Sequence, residues 1–354
     1  MTRCWLILGV LVAPLAVVPG WDLPAMKNDA FLLLGAGAAI VLVRNRWVGL
    51  FTGWTVVAAL LTGAAPWAVR GAVGVLAWAL VYHLATTLTE TGWRSVRVAV
   101  TVAAVFQLLW LGVQAVHADP LFFPLASQGG VVAPSVGLVG WFGNPMDLAL
   151  YLALALPLIA AVHPLIALVA AAVMLTALHV TVGALGVAVT GLWVGLRALP
   201  TWWLRAGLVG LVVAAGFAYL WRYDAQGAGL KPLVWSQTLQ LIRAKPLIGW
   251  GPNAFDHSVF ILTPQIANYW NFVFNEYLQG WLELGAIGLV PVAGYLATLG
   301  WKLRRCWRAA GELIPALAIL LITAAVSIPM RIGPVALLAA LVLGRLEAVT
   351  REVT

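Results

Sequence analysis

Apolar runs of roughly 14 to 20 residues recur along the whole chain, each bounded by charged residues, glycine, proline or tryptophan. A backbone in lipid must satisfy its own hydrogen bonds, so runs of this length form helices. The period-two alternation that indicates strands is absent from the sequence. The pattern therefore predicts an all-α polytopic transmembrane helical bundle of about 12 helices, with a range of about 10–12. The predicted segments are 5–20, 30–43, 47–65, 71–89, 98–117, 147–162, 165–178, 180–196, 206–221, 272–300, 311–328 and 333–346.

One interruption of this pattern is longer than all the others. Residues 222–271 form a long polar-containing stretch between the ninth and tenth predicted helices. We expect a single integral membrane domain, residues 1–354, that carries this stretch as a large extracytoplasmic loop. Inside the loop, apolar residues recur at near-helical spacing from Pro232 to Ala244, which predicts an amphipathic helix at the membrane interface. The predicted apolar stripe consists of Leu233, Trp235, Leu239 and Ile242.

Composition excludes a soluble globular protein. The chain is 63% hydrophobic and only 9% charged, so it has too little polar surface to cover a water-soluble fold. The two cysteines, Cys4 and Cys306, both fall on the predicted reducing face, so neither a disulfide nor a metal cluster is indicated. We accordingly expect no metal and no cofactor.

The distribution of cations predicts the orientation of the chain. With a cytoplasmic N-terminus, 13 of the 20 Lys and Arg residues fall on the inside, as the positive-inside rule requires. Both termini are then cytoplasmic, in the inner (cytoplasmic) membrane of the cell. The net charge of +8 reflects a cytoplasmic girdle that faces anionic lipids, and nucleic acid is not needed to explain it. The seven cations predicted outside are Lys27, Arg70, Arg222, Lys231, Arg243, Lys245 and Arg331.

A second outward-facing loop, residues 118–146, ends at the start of the sixth predicted helix. Asn144 suits an N-cap, Pro145 suits the first helical position, and Asp147 lies where a capping acid belongs. A well-formed helix start explains these residues. The alternative is that the helix N-terminus lines an outward cavity and helps to bind an anion.

The tenth predicted helix carries three polar residues on one stripe. Glu276, Gln279 and Glu283 are offset by three, four and seven positions, which returns them to the same helical face. Glu283 is predicted to lie at hydrocarbon depth, where a carboxylate must face protein or water and either pair with a cation or be protonated. A structural ion pair and a role in binding or proton transfer both account for this stripe.

Other polar residues allow two interpretations. His257, next to Asp256 in the long loop, suits a catalytic base, but adjacent loop residues are also commonly solvated. Arg70 and Arg331 lie beside Pro-bearing boundaries on the outer side. Each is able to reach into an outward cavity or to serve as a snorkelling anchor at the membrane surface.

Three pieces of sequence occur in order along roughly residues 135–295. The first, Gly140–Pro145, leads into an apolar helix that includes Pro157. The second runs from Lys245 to Phe255, with Lys231 four residues before Trp235, and the third begins at Asn275-Glu276 and continues through Glu283 to Leu289. Together they resemble the O-antigen ligase and polymerase family of lipid-linked glycan transferases.

The sequence departs from that family at two positions. Family members usually carry an arginine where this chain has Lys231. An arginine guanidinium binds phosphate through two donors, whereas the lysine ammonium is a point charge. The family commonly carries a catalytic histidine just before the asparagine of the third piece, where this chain has Phe274.

The resemblance implies an inverting glycosyl transfer without a metal, on the extracytoplasmic face. An acceptor hydroxyl on a glycan, lipid or protein attacks a sugar that is carried on undecaprenyl pyrophosphate. Such a reaction, which belongs to lipopolysaccharide or related polysaccharide biosynthesis, needs cations for the diphosphate and a base near the nucleophile. The candidate base is Glu276 or His257, and the candidate substrate-binding residues are Arg222, Lys231, Arg243, Lys245, Arg70, Arg331, Asn144 and Asn275.

Two alternatives stay open. In a polytopic transporter or flippase, the intramembrane carboxylates Glu276 and Glu283 would be coupling sites, although paired broken helices and an inverted repeat are not evident in the sequence. A family member that has lost catalysis and acts within a surface-polysaccharide assembly is the other alternative, and Phe274 favours it. The transferase hypothesis requires an outward cavity at which cations and Glu276 converge. The transporter hypothesis requires a water path past Glu283.

Overall fold

A computed structural model of the protein describes residues 45–63, 65–116, 138, 140–142, 144–178, 180–199, 201, 231–255 and 273–353. Within these ranges the regular structure is helical and no strand occurs. The ten α-helices of this part are α1 Arg46–Leu61, α2 Pro66–Thr86, α3 Glu90–Ala115, α4 Pro145–Val162, α5 Pro164–Val173, α6 Thr181–Ala198, α7 Lys231–Ala244, α8 Glu276–Ala310, α9 Leu313–Ala324 and α10 Gly333–Val353. Short helical turns lie at Gly140–Phe142, Met174–Leu178 and Pro329–Arg331.

The apolar runs of the sequence correspond closely to these helices. Predicted segments 5–20, 30–43 and 206–221 lie outside the described residues, and each of the nine others coincides with a helix. In the described part, six helices are long and apolar enough to cross a membrane: α2, α3, α4, α6, α8 and α10. The protein is therefore a helical membrane protein, while the predicted total of about 12 spans stays a prediction.

Two helices form the centre of the bundle. In α4, every residue from Leu148 to Ile159 is buried, and α10 is buried along its apolar stretch. Small residues allow other helices to approach them closely: a Cβ atom on Gly186 of α6 would lie 2.4 Å from that of Ala153, and one on Gly344 would lie 2.4 Å from the Tyr82 carbonyl oxygen. Close approach of this kind stabilises helices that lack a hydrophobic driving force in lipid.

Helix α8 is interrupted at Gly285, whose φ of 66° lies in the left-handed region. The segment that follows α7 runs beside this interruption and replaces the lost helical hydrogen bonds. The Trp250 and Gly251 amides donate to the Leu282 and Glu283 carbonyl oxygens at 2.9 and 2.8 Å. In return, the Ala286 amide donates to the Pro246 carbonyl oxygen at 2.9 Å.

Two further hydrogen bonds complete this exchange. The Ile287 amide donates to the Leu247 carbonyl oxygen at 3.1 Å, and the Trp54 indole of α1 donates to the Leu284 carbonyl oxygen at 2.8 Å. A broken helix is tolerated at membrane depth only where protein satisfies the freed backbone groups, and here the segment 246–251 and α1 do so. We name this set of bonds the backbone exchange.

The predicted amphipathic helix of the long loop is present as α7. Val234, Thr238, Leu241 and Ile242 are buried, whereas Leu233 and Leu239 of the predicted stripe are 44% and 40% exposed. α7 packs on the start of α8 through this buried face, which includes Ile242 of the predicted stripe, and the location of α7 at the membrane interface stays a prediction. That contact forms a small apolar cluster, which joins α7 to Phe255, Val273 and Leu282.

Ion pairs separate into two groups along the bundle. One group joins Arg97 to Glu90 and Glu312, Arg345 to Glu90, and Glu347 to Lys302 and Arg351; all the basic members were predicted on the inside. The other group joins Arg331, predicted outside, to Glu276 and Glu283. The two groups lie at opposite ends of α8 and α10, as expected if these helices cross the membrane side by side. Which end is cytoplasmic stays a prediction.

We predict that Gly285→Ala destabilises the protein strongly. A Cβ atom there would lie 2.1 Å from the Leu247 carbonyl oxygen, and alanine at positive φ adds strain of about 1–3 kcal/mol. Thermal unfolding in detergent should show a clear fall in Tm. Gly300→Ala in the same helix meets nothing within 4 Å, so its Tm should be unchanged or higher. Equal Tm values for the two variants would contradict the backbone exchange.

Candidate functional site

A cavity of about 860 Å³ lies among α1, α2, α4, α8, α9 and α10, and we name it the main cavity. Four of its charged and amide-bearing lining residues were predicted in outside segments: Arg70, Asn144, Asn253 and Arg331. Three others were predicted within membrane helices: Asp147, Glu276 and Glu283. The remaining lining is mostly apolar and includes Phe51, Val75, Trp78, Leu289, Val292, Leu296, Leu317 and Leu320. The main cavity therefore combines a group of charged and amide side chains with a largely apolar lining.

Arg331 is the centre of the polar network. Its Nη2 donates to Glu283 Oε2 at 2.5 Å, its Nη1 donates to Asn253 Oδ1 at 3.0 Å, and its Nε lies 3.5 Å from Glu276 Oε1. Burial alone would disfavour the charged guanidinium, but the two carboxylates outweigh burial and raise the pKa of Arg331. One side chain thus connects the turn before α10, the start of α8 and the segment after α7.

Glu283 is 2% exposed and is paired, as the sequence predicted for a carboxylate at hydrocarbon depth. Its second oxygen accepts a hydrogen bond of 2.9 Å from the Gln279 side chain, whose own oxygen accepts from the Val273 amide at 3.2 Å. The predicted stripe of Glu276, Gln279 and Glu283 is confirmed by these contacts. Glu283 is consequently fixed on both oxygens, which favours a structural role for it.

Glu276 is held differently and lines the main cavity. Its Oε2 accepts a hydrogen bond of 3.2 Å from the Met330 amide, while its Oε1 has the longer 3.5 Å contact with Arg331. Glu276 is also the first residue of α8, where the helix dipole favours a negative charge. Asn275 caps this helix by accepting from the Leu278 amide at 3.0 Å, and it does not line the main cavity.

Asn253 is a site residue that the sequence reading did not single out. It adopts a left-handed φ of 65°, a conformation that asparagine tolerates better than most residues. Pro252, just before it, packs against Gly71, where an added Cβ atom would lie 2.8 Å from the proline Cβ. The signal was an asparagine that closely follows Gly249, Gly251 and Pro252, a position typical of a turn with a specialised backbone conformation.

The N-terminus of α4 also lies at the main cavity. Asn144 caps the helix as predicted, since its side chain accepts from the Met146 amide at 2.8 Å. Both Asn144 and Asp147 line the main cavity. The geometry agrees both with a well-formed helix start and with a helix N-terminus that lines a cavity. Anion binding by this N-terminus stays a prediction.

The predicted cations do not all gather at the main cavity. Arg70 is exposed and lines it, as Arg331 does, whereas Arg243 and Lys245 are exposed and are not among its lining residues. The Lys245 ammonium instead lies 4.1 Å from the centre of the Trp250 ring. Binding of a donor by Arg243 and Lys245 therefore stays a prediction. Arg222 and His257 lie outside the described residues.

Lys231 packs beside the main cavity and does not line it. Its ammonium donates to the Val326 carbonyl oxygen at 3.1 Å and lies 5.8 Å from the centre of the Phe274 ring. Burial lowers the pKa of Lys231. Phe274, at the position where the family that the chain resembles commonly has a histidine, lines the main cavity at a positive φ of 55°.

The charges around the main cavity are nearly balanced. Among the described lining residues there are two cations, Arg70 and Arg331, and three carboxylates, Asp147, Glu276 and Glu283. Because Glu283 neutralises Arg331, a diphosphate at this cavity would depend on Arg70 and on cations beyond the described lining.

We predict that Arg331 and Glu283 are strongly coupled in stability. Arg331→Met leaves a buried carboxylate without its cation, which costs about 3–5 kcal/mol. The double variant Arg331→Met/Glu283→Met removes both charges at similar volume, so it should recover a large part of that loss. Thermal unfolding in detergent measures both values, with Arg304→Met, an exposed arginine, as the control. A double variant no more stable than Arg331→Met would contradict the pairing.

No family model matches the chain, and no curated protein matches it in sequence. The resemblance to the O-antigen ligase and polymerase family consequently rests on the three sequence pieces, and the functional argument rests on the geometry of the main cavity.

Proposed function

We propose that the protein is an extracytoplasmic glycosyltransferase of the O-antigen ligase or polymerase type. It transfers a glycan from an undecaprenyl-pyrophosphate-linked donor to an acceptor hydroxyl with inversion. The observation that supports this proposal most directly is the amphiphilic main cavity. Glu276, Arg331 and Arg70 line it together with an apolar chamber inside the bundle. A ligand with a charged head and a long apolar tail suits such a cavity.

The proposed chemistry uses Glu276 as the base. Its carboxylate accepts the proton of the acceptor hydroxyl as the hydroxyl oxygen forms a bond to the anomeric carbon. The bond from that carbon to the phosphate oxygen breaks, and the polyprenyl diphosphate leaves with the bonding electrons. The Met330 amide and the Arg331 guanidinium orient Glu276, and Arg70 is the described cation best placed to contact the leaving group.

One observation favours transport as a second candidate function. Helix α8 is broken at Gly285, and the paired carboxylate Glu283 lies two residues before the break. Discontinuous helices commonly form the substrate and coupling-ion sites of secondary transporters, and carboxylates inside the membrane mark ion pathways. The sequence did not reveal this break, and it strengthens the transporter hypothesis relative to the sequence alone. Within the described residues, however, the break is closed by the backbone exchange.

We predict that Glu276→Gln abolishes glycan transfer but keeps donor binding. Because a positioned base contributes roughly 10²–10⁴-fold, kcat should fall at least about 100-fold with little change in the donor Kd. Arg70→Ala should instead weaken donor binding by about tenfold, since a charge-assisted contact to the diphosphate is lost. The measurement is transfer from native polyprenyl diphosphate donors in proteoliposomes. Arg304→Ala, an exposed arginine at the other end of α8, is the control.

Several outcomes separate the hypotheses. Wild-type turnover by Glu276→Gln would reject that base, and flux of a donor or ion without transfer would favour the transporter. Transfer that appears only after Phe274→His would identify the natural chain as an inactive family member. Histidine is tolerated at positive φ, so this substitution suits the local backbone.

A further inference from the structure

A second cavity, of about 410 Å³, lies at the opposite end of α8 and α10 from the polar groups of the main cavity. We name it the basic cavity. Three helices contribute one cation each: Arg46 begins α1, Lys302 lies in the last third of α8, and Arg351 lies at the end of α10. The lining residues are Asn45, Arg46, Trp47, Thr298, Lys302, Glu347 and Arg351.

A buried carboxylate orients two of these cations. Glu347, whose side chain is 4% exposed, accepts hydrogen bonds from Lys302 Nζ at 3.0 Å and from Arg351 Nε at 3.1 Å. Among the described lining residues, one negative charge therefore faces three positive charges, which gives a net charge of +2. The Nη atoms of Arg351 donate no hydrogen bond to the described residues, so the guanidinium retains the paired donors that bind phosphate oxygens.

Aromatic residues of the kind that is enriched at membrane interfaces surround the basic cavity. The Arg46 guanidinium lies 5.0 Å from the centre of the Trp47 ring, and the Trp47 indole donates to Thr298 Oγ1 at 3.1 Å. Close by along α8, Trp301 is 54% exposed and carries the Arg305 guanidinium at 4.4 Å. Tryptophan is enriched where a helix crosses the membrane interface, because its ring has apolar and polar parts.

We propose that the basic cavity binds the phosphodiester headgroup of an anionic phospholipid. Three cations in a concave site, at headgroup depth on the predicted cytoplasmic face, match one phosphate and its surrounding oxygens. The headgroup contacts Arg46 and Arg351 directly, while Glu347 fixes the position of Lys302 and Arg351. This site is separate from the main cavity and does not depend on the proposed transferase reaction.

Isothermal titration of the detergent-solubilised protein with dihexanoylphosphatidylglycerol tests this proposal. Arg46→Gln/Arg351→Gln should weaken binding roughly 25-fold, since each cation near the headgroup contributes roughly fivefold. The matched control is Arg304→Gln/Arg308→Gln, which removes two exposed cations at the same end of the bundle but outside the basic cavity. Its Kd should stay within about twofold of the wild-type value. The zwitterionic dihexanoylphosphatidylcholine should bind far more weakly to the wild type.

Equal weakening in the two double variants would overturn the proposal, because it would indicate a diffuse positive surface without a site. Equal affinity for the zwitterionic lipid would overturn it as well. Inorganic phosphate that binds as tightly as dihexanoylphosphatidylglycerol would assign the basic cavity to a free anion rather than a lipid. If Arg46→Gln/Arg351→Gln does not fold, the exposed Arg46→Gln alone should weaken lipid binding about fivefold, and unchanged binding in it would contradict the proposal.

Discussion

The backbone exchange between α8 and the segment 246–251 is the interaction on which the rest of the structure depends. Interrupting α8 at Gly285 frees main-chain groups that would be costly without partners at membrane depth. Five hydrogen bonds from the segment after α7 and from Trp54 satisfy them. The exchange also brings the segment after α7 into the bundle, so that Asn253 lies within reach of Arg331.

The charge pattern of the main cavity follows from the backbone exchange. Arg331 meets Glu283, Glu276 and Asn253 only because α8, the turn before α10 and the loop segment converge. Pairing with Glu283 makes the buried charges tolerable but leaves little positive charge for a ligand. Glu276 has the looser contacts and lines the cavity, so it is the carboxylate better suited to chemistry, whereas Glu283 is the one suited to structure.

Much of the helical pattern could be predicted because it depends on local composition. Nine apolar runs coincide with helices, Asn144 caps α4, and the stripe of Glu276, Gln279 and Glu283 lies on one face. These features follow from helix periodicity and capping chemistry, which depend only on residues close together in the sequence. The sequence also named Arg331 as a cation able to reach an outward cavity.

What could not be predicted depends on contacts between distant segments. A glycine within an apolar run is compatible with a continuous helix, so the break at Gly285 becomes visible only through its partners at Pro246–Gly251. The buried face of α7 is set by its contact with α8, which local spacing does not encode. Arg243 is exposed on this helix, and its role in donor binding stays a prediction.

The backbone exchange is tested most directly by hydrogen–deuterium exchange of the protein in lipid nanodiscs, read on peptides that cover residues 246–251 and 282–287. The Trp250 and Gly251 amides belong to a segment outside the helices, yet they should exchange as slowly as amides inside α8, because carbonyl groups of α8 accept their hydrogen bonds. Exchange of these two amides within seconds, at the rate of an exposed loop, would contradict the account.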